Sequence, residues 1–126
     1  MKILKSAVVA FSLAVAMGSF STAAVAEAGR TTYKPIDAIN GTLERIAAAE
    51  TAINNGAEDA EVAALIKKAA DFSEEINAND KVARENSKVR GHLKSAITAA
   101  KSANLQEAKE HLGKAKDGMN GLKKLL

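Results

Sequence analysis

The stretch GHLKSAITAAKSANLQEAKEHLGKA, residues 91–115, sets two runs of residues on either side of a short break, Ser102-Ala103-Asn104. Before the break, Leu93, Ala96, Ile97 and Ala100 recur at steps of three and four; after it, Leu105, Ala108, Leu112 and Ala115 do the same. That period belongs to an amphipathic helix, because a half-buried strand alternates at every second residue. So short a connection forces the two helices to run antiparallel. The stretch is a helical hairpin, and the rest of the chain is read outward from it.

Both histidines of the protein lie here, His92 and His111, each directly before a stripe leucine. One residue is about 100° of helix rotation, so both imidazoles are expected on the flank of the buried stripe. In an antiparallel hairpin the positions preceding two facing stripe residues fall on the same side of the pair. Whether that side is the groove between the helices or their outer flanks depends on the handedness of the bundle. Counted from the turn, the two rings are offset by about 5 Å along axes that stand about 8–10 Å apart.

Two further amphipathic runs precede the hairpin. Ile36, Ile39, Leu43, Ile46 and Ile53 form one stripe, with Pro35 suited to a first helical turn and Glu50 interrupting the series. Val62, Leu65, Ile66, Ala69, Phe72 and Ile76 form the next. Asn54-Asn55-Gly56 and the run NAND at 77–80 separate the segments. The spacing predicts helices near 35–54, 58–77, 80–102 and 105–125. Short connections make an all-α, antiparallel up-down-up-down four-helix bundle the architecture that buries all four stripes at once. Asn86 falls where the third stripe wants an apolar residue; a frayed first turn accommodates it, the alternative being a buried amide that sets register. A shift of 47 residues brings Ile46 onto Leu93, Ala49 onto Ala96, Leu65 onto Leu112, Lys67 onto Lys114 and Phe72 onto Met119. Either a duplicated hairpin or the ready self-matching of heptad-like sequence accounts for it.

The N-terminus reads differently. Lys2 and Lys5 precede an apolar run from Ala7 to Met17, and Ala24-Val25-Ala26 closes the segment. A basic start, an apolar stretch too short to span a bilayer and a small-x-small ending describe a signal peptide over residues 1–26. Cleavage leaves a single domain, residues 27–126, which the bacterial style of the signal directs to the periplasm, with no stable membrane insertion afterwards. The formal charge of the whole chain is +3; loss of Lys2 and Lys5 brings it to about +1. Charge is also divided unevenly: Glu27–Asp80 carries 5 basic and 11 acidic residues, Lys81–Leu126 carries 11 basic and 4 acidic. Such halves attract one another within one chain or between two, which leaves room for a homo-oligomer.

The absence of cysteine excludes thiolate zinc sites, iron–sulfur clusters and c-type haem attachment. Beyond residue 26 the aromatic side chains are Tyr33 and Phe72, too few for base stacking, so nucleic acid is not an expected partner. No Ser/His/Asp ordering, nucleophile elbow, HExxH or phosphate-binding glycine loop occurs, and no enzymatic activity is expected. Four-helix bundles resembling periplasmic b-type cytochromes take an axial methionine from the first helix and a histidine near the end of the last. Here the first mature helix has no methionine, and Met119 shares a helix with His111, about 12 Å away, so no haem is expected. What remains is metal. Glu107 stands four residues before His111, and Glu107, His111 and His92 together offer a ligand set suited to Cu(II), Ni(II) or Zn(II). Lys94, Lys109 and Lys114 surround these positions and oppose a cation. The competing reading is a surface histidine in an ordinary Glu–His contact.

The segments HLKSAI and QEAKEHLGKA resemble the C-terminal hairpin of the small metal-binding proteins of nitrifying bacteria, which are periplasmic, cysteine-free four-helix bundles. The resemblance places His92 and His111 on family histidines, with Leu93, Ala96, Ile97, Ala108 and Ala115 in step, over roughly 35 residues. It implies binding of copper or another divalent ion for buffering or delivery. Family members carry many histidines and this chain has two, so the implied capacity is one weak site or none. A structural or protein-interaction bundle, using its acidic and basic hairpins, is the alternative, and weak association with anionic envelope surfaces is a third reading.

Overall fold

A computed structural model describes residues 32–126; the signal segment expected at 1–26 lies outside them. Four helices follow in order: α1 (Pro35–Asn54), α2 (Asp59–Phe72), α3 (Asp80–Lys101) and α4 (Leu105–Lys123), with a short 3-10 turn, Ser73–Glu75, after α2. Each helix packs on the next and α4 packs back on α1, the cyclic order of an up-down four-helix bundle. The α3–α4 hairpin makes the most extensive contact of the four. No helix among the described residues is long and apolar enough to cross a membrane.

The boundaries follow from local chemistry. Pro35 occupies the first turn of α1, where its missing N–H leaves no bond unmade. At the other end, Gly56 takes a left-handed φ of 80°, Gly56 N–H donates to Ile53 O and Ala57 N–H donates to Ala52 O. Those two bonds satisfy carbonyls that the helix end would leave open. The α3–α4 turn repeats the device: Ala103 N–H donates to Ala100 O and Asn104 N–H to Ala99 O. Here the left-handed position is an alanine, Ala103, at φ 63°. Asn79 and Asn104 cap α3 and α4 by accepting from Val82 N–H and Glu107 N–H.

The second helix is shorter than its sequence pattern suggests. Instead of running to 77, α2 gives way at Phe72 to the 3-10 turn, and Ser73 Oγ donates to Ala70 O at 2.6 Å. The cause lies on α3. Asn86 is 6% exposed, and its Nδ2 donates to Ser73 O at 3.0 Å, so a side chain in the second turn of α3 takes the carbonyl on which a continuing helix would draw. The frayed-turn expectation for Asn86 is therefore replaced by a buried amide that ties α2 to α3.

Alanine makes up 12 of the 23 buried hydrophobic residues among those described, so helices approach closely while burying modest area per residue. The inward stripes are rotated slightly from expectation. Ala38, Thr42, Ala49 and Ala52 join Ile39 and Ile46 inside α1, while Leu43 and Ile53 are half-buried and Ile36 is exposed. Burial on α1 recurs on α3 at a shift of 47: Ile39, Thr42, Ile46, Ala49 and Ala52 match Asn86, Val89, Leu93, Ala96 and Ala99. Between α2 and α4 the shift is 46: Val62, Ile66, Ala69, Ser73 and Ile76 match Ala108, Leu112, Ala115, Met119 and Leu122. The pairings of Leu65 with Leu112, Lys67 with Lys114 and Phe72 with Met119 are thus one residue out of register. The turns explain the slip, because Ala57 precedes the N-cap Glu58, whereas Asn104 fills both positions at once.

Candidate metal site

Leu93 and Leu112 are fully buried, which orients the residue before each toward the hairpin's flank. The flank in question is the interhelical groove. The His92 and His111 rings face each other with centroids 6.1 Å apart and planes inclined by 28°. This resolves the alternative left open by handedness, since rings on the outer flanks could not stack. Both imidazoles are half-buried. Imidazole lone pairs lie in the ring plane, so from this stacked arrangement a rotation about χ2 is what brings a nitrogen of each ring toward one ion.

Glu107 approaches from one turn back on α4, with Oε2 3.5 Å from His111 Nε2. Its other oxygen, Oε1, accepts from Asn104 Nδ2 at 3.0 Å, while Asn104 Oδ1 accepts from Glu107 N–H at 3.2 Å. Cap and carboxylate thus hold each other, and the capping exchange aims Glu107 along the helix toward His111. Asn104 was not among the expected site residues, although an Asn three positions before a Glu at a helix start is a legible signal. His111 Nδ1, on the ring edge away from Glu107, is buried with no hydrogen-bond partner among the described residues. A buried imidazole nitrogen without a partner is the kind of atom that a metal or an ordered water satisfies.

Lys94, Ser95, Thr98, Ser102, Asn104, Glu107 and His111 line an open groove running from His111 to the α3–α4 turn. Lys94 is part of that wall, so one of the three opposing cations does face the site. Lys109 is drawn elsewhere, donating to Asn54 Oδ1 on α1 at 3.1 Å. Lys114 is exposed. His92 pairs with His111, and His111 with Glu107, but among the described residues no three acidic or imidazole side chains stand together as a ready-made metal cluster. The donor set fits a borderline divalent ion by ligand type: two imidazoles and one carboxylate.

No family model, curated protein or solved structure matches the chain.

Proposed function

We propose that this protein is a periplasmic small metal-binding bundle that holds copper or another divalent ion at one low-capacity site formed by His92, His111 and Glu107. The observation that carries the reading is the facing pair of imidazoles, 6.1 Å apart across the α3–α4 groove. The Glu107 carboxylate beside His111 Nε2 adds to it. His92 and His111 would supply nitrogen ligands, Glu107 an oxygen, and water the remainder of the shell. The role that follows is buffering or delivery, since the groove is open to solvent. Export to the periplasm rests on residues 1–26, and the likeness of residues 92–115 to the small metal-binding proteins on the residues themselves.

The interaction-bundle reading has less support. Charge complementarity between the hairpins is used inside the chain by Glu74–Arg90 at 2.8 Å and Glu50–Lys116 at 3.1 Å.

Calorimetric titration of residues 27–126 with Cu(II) tests the proposal. One ion per chain is expected, with the heat abolished in the His92→Ala/His111→Ala variant and diminished at acid pH, because protons compete with the ion for its ligands. Equal heats from the two proteins, or none from either, would remove the metal reading.

A further inference from the structure

Three asparagines are followed by glycine: Asn40–Gly41, Asn55–Gly56 and Asn120–Gly121. In such a pair the glycine nitrogen can attack the asparagine side-chain carbonyl, because glycine has no Cβ to obstruct the approach. A five-membered succinimide then forms with loss of ammonia. All three asparagines are exposed, and none of their side chains makes a hydrogen bond among the described residues. What separates them is the backbone.

To close the ring, ψ of the asparagine must turn until the glycine nitrogen lies over Cγ, which pulls the glycine N–H away from its own hydrogen bond. Asn40–Gly41 lies in the second turn of α1, where one ψ cannot turn without breaking several bonds of the helical ladder. Gly41 is held further, since Arg45 Nη1 donates to its carbonyl at 2.9 Å and the Phe72 ring lies against it. Asn120–Gly121 is in the last turn of α4, closer to a helix end. Of the three, Asn55 alone stands outside a helix, as the C-cap of α1 at φ −91° and ψ 2°. Beyond it the end of α1 is tied by Gly56 N–H donating to Ile53 O at 3.1 Å and Ala57 N–H donating to Ala52 O at 2.9 Å. Gly56 is exposed at a left-handed φ of 80°, and a Cβ there would meet nothing within 4 Å, so no packed neighbour resists the rotation.

We infer that Asn55 is a site of spontaneous deamidation, which the fold directs to the α1–α2 turn and which unties the end of α1. Hydroxide takes the Gly56 N–H proton, the nitrogen bonds to Asn55 Cγ, and the Cγ–Nδ2 bond breaks to release ammonia. Water then opens the succinimide, so the net change is water consumed and ammonia released, with nothing oxidised or reduced. Opening at Cγ leaves aspartate; opening at the main-chain carbonyl of residue 55 leaves isoaspartate, whose main chain runs through Cβ and Cγ. That path to Gly56 is one carbon longer, so the N–H groups of Gly56 and Ala57 lose their register with Ile53 O and Ala52 O. Either product places a carboxylate at the C-terminal end of α1, where the helix dipole opposes it. The inference is independent of the metal reading.

Timed incubation of the full chain at mildly alkaline pH, followed by tryptic digestion and mass spectrometry, tests it. Trypsin cuts after Arg45, Lys67, Lys116 and Lys123, so the three asparagines fall in separate peptides. In the folded protein Asn55 should show the mass gain of an amide-to-acid change about tenfold or more faster than Asn40, the difference that one or two extra hydrogen bonds to be opened would make. Asn120 should fall between them. In urea the three rates should converge, because glycine follows each asparagine and the helices are gone. An isoaspartyl methyltransferase should label the aged peptide 46–67. Amide hydrogen exchange at Gly56 and Ala57 should quicken in the aged protein. It should not do so in aged Asn55→Gln, whose longer side chain would have to close a less favourable six-membered ring. Asn40 or Asn54 reacting as fast as Asn55 in the folded protein, the same rate ratios persisting in urea, or unchanged exchange at Ala57 after modification would each overturn the inference.

Discussion

Asn86 shows how one polar side chain can reshape two helices. Its amide nitrogen satisfies Ser73 O, while its buried Oδ1 has no partner among the described residues. Replacement by alanine removes the donor and opens a small cavity, so Asn86→Ala should destabilise by about 1–3 kcal/mol, measured by urea denaturation. Unchanged stability would mean that the amide contributes nothing net to the α2–α3 contact. Ala103 is the other residue with a clear energetic signature. A non-glycine residue at φ 63° carries a steric penalty that glycine avoids. Ala103→Gly should therefore stabilise by about 1 kcal/mol and raise the melting temperature by a few degrees. Asn104 needs no such change, since it ends one helix and caps the next.

Glycines within helices divide into two kinds at the scale of the element. Gly41 lies under the Phe72 ring, where a Cβ would stand 2.9 Å from Cζ and closer still to the ring edge. Phe72 cannot easily yield, because Tyr33 meets it edge-on at 5.0 Å and the Arg45 guanidinium covers it at 3.9 Å. Partial burial in this cluster lowers the pKa of Arg45, with Tyr33 and Glu44 opposing the shift. Gly91, by contrast, would place a Cβ in open space. Gly91→Ala should therefore stabilise by up to about 1 kcal/mol through helix propensity, whereas Gly41→Ala should destabilise by about 1–3 kcal/mol. Thermal melts of the two variants moving in the same direction would contradict the close approach at Gly41. Gly118 belongs with Gly41, because its Cβ would come within 2.7 Å of Val89 Cγ2 on α3. The sequence places all these glycines in helices; only the packing distinguishes them.

For the whole molecule, the division into an acidic first half and a basic second half becomes a pattern of seams. Glu74–Arg90 joins the end of α2 to α3, and Glu50–Lys116 joins α1 to α4. Glu50, which breaks the apolar stripe of α1, is thereby accounted for: its carboxylate is mostly buried at the α1–α4 seam and accepts from Lys116. The Lys116 side chain is well exposed, so the pair is partly screened, and Lys116→Glu should destabilise by about 1 kcal/mol or less, more at low salt than at high. Equal loss at both ionic strengths would show that the side chain acts through packing. A bound ion should act on the whole bundle as well. At 100 times its dissociation constant, Cu(II) should stabilise the protein by about 2.7 kcal/mol, visible as a raised melting temperature that His92→Ala/His111→Ala abolishes.

Local pattern alone determined the four helices, their antiparallel order, the hairpin at residues 91–115 and the placement of both histidines on one side of it. Those properties depend on interactions among residues a few positions apart, which a three-and-four period records directly. The tertiary structure decided the rest. It set the imidazoles in the groove between α3 and α4, stopped α2 at Phe72, rotated Ile36 outward and Thr42 inward, and shifted the repeat from 47 to 46 residues across the turns. Each of these depends on partners distant in sequence: Asn86 with Ser73, Phe72 over Gly41, Val89 against Gly118. Handedness and close approach are properties of pairs of helices, and a periodicity read along one helix carries no record of them.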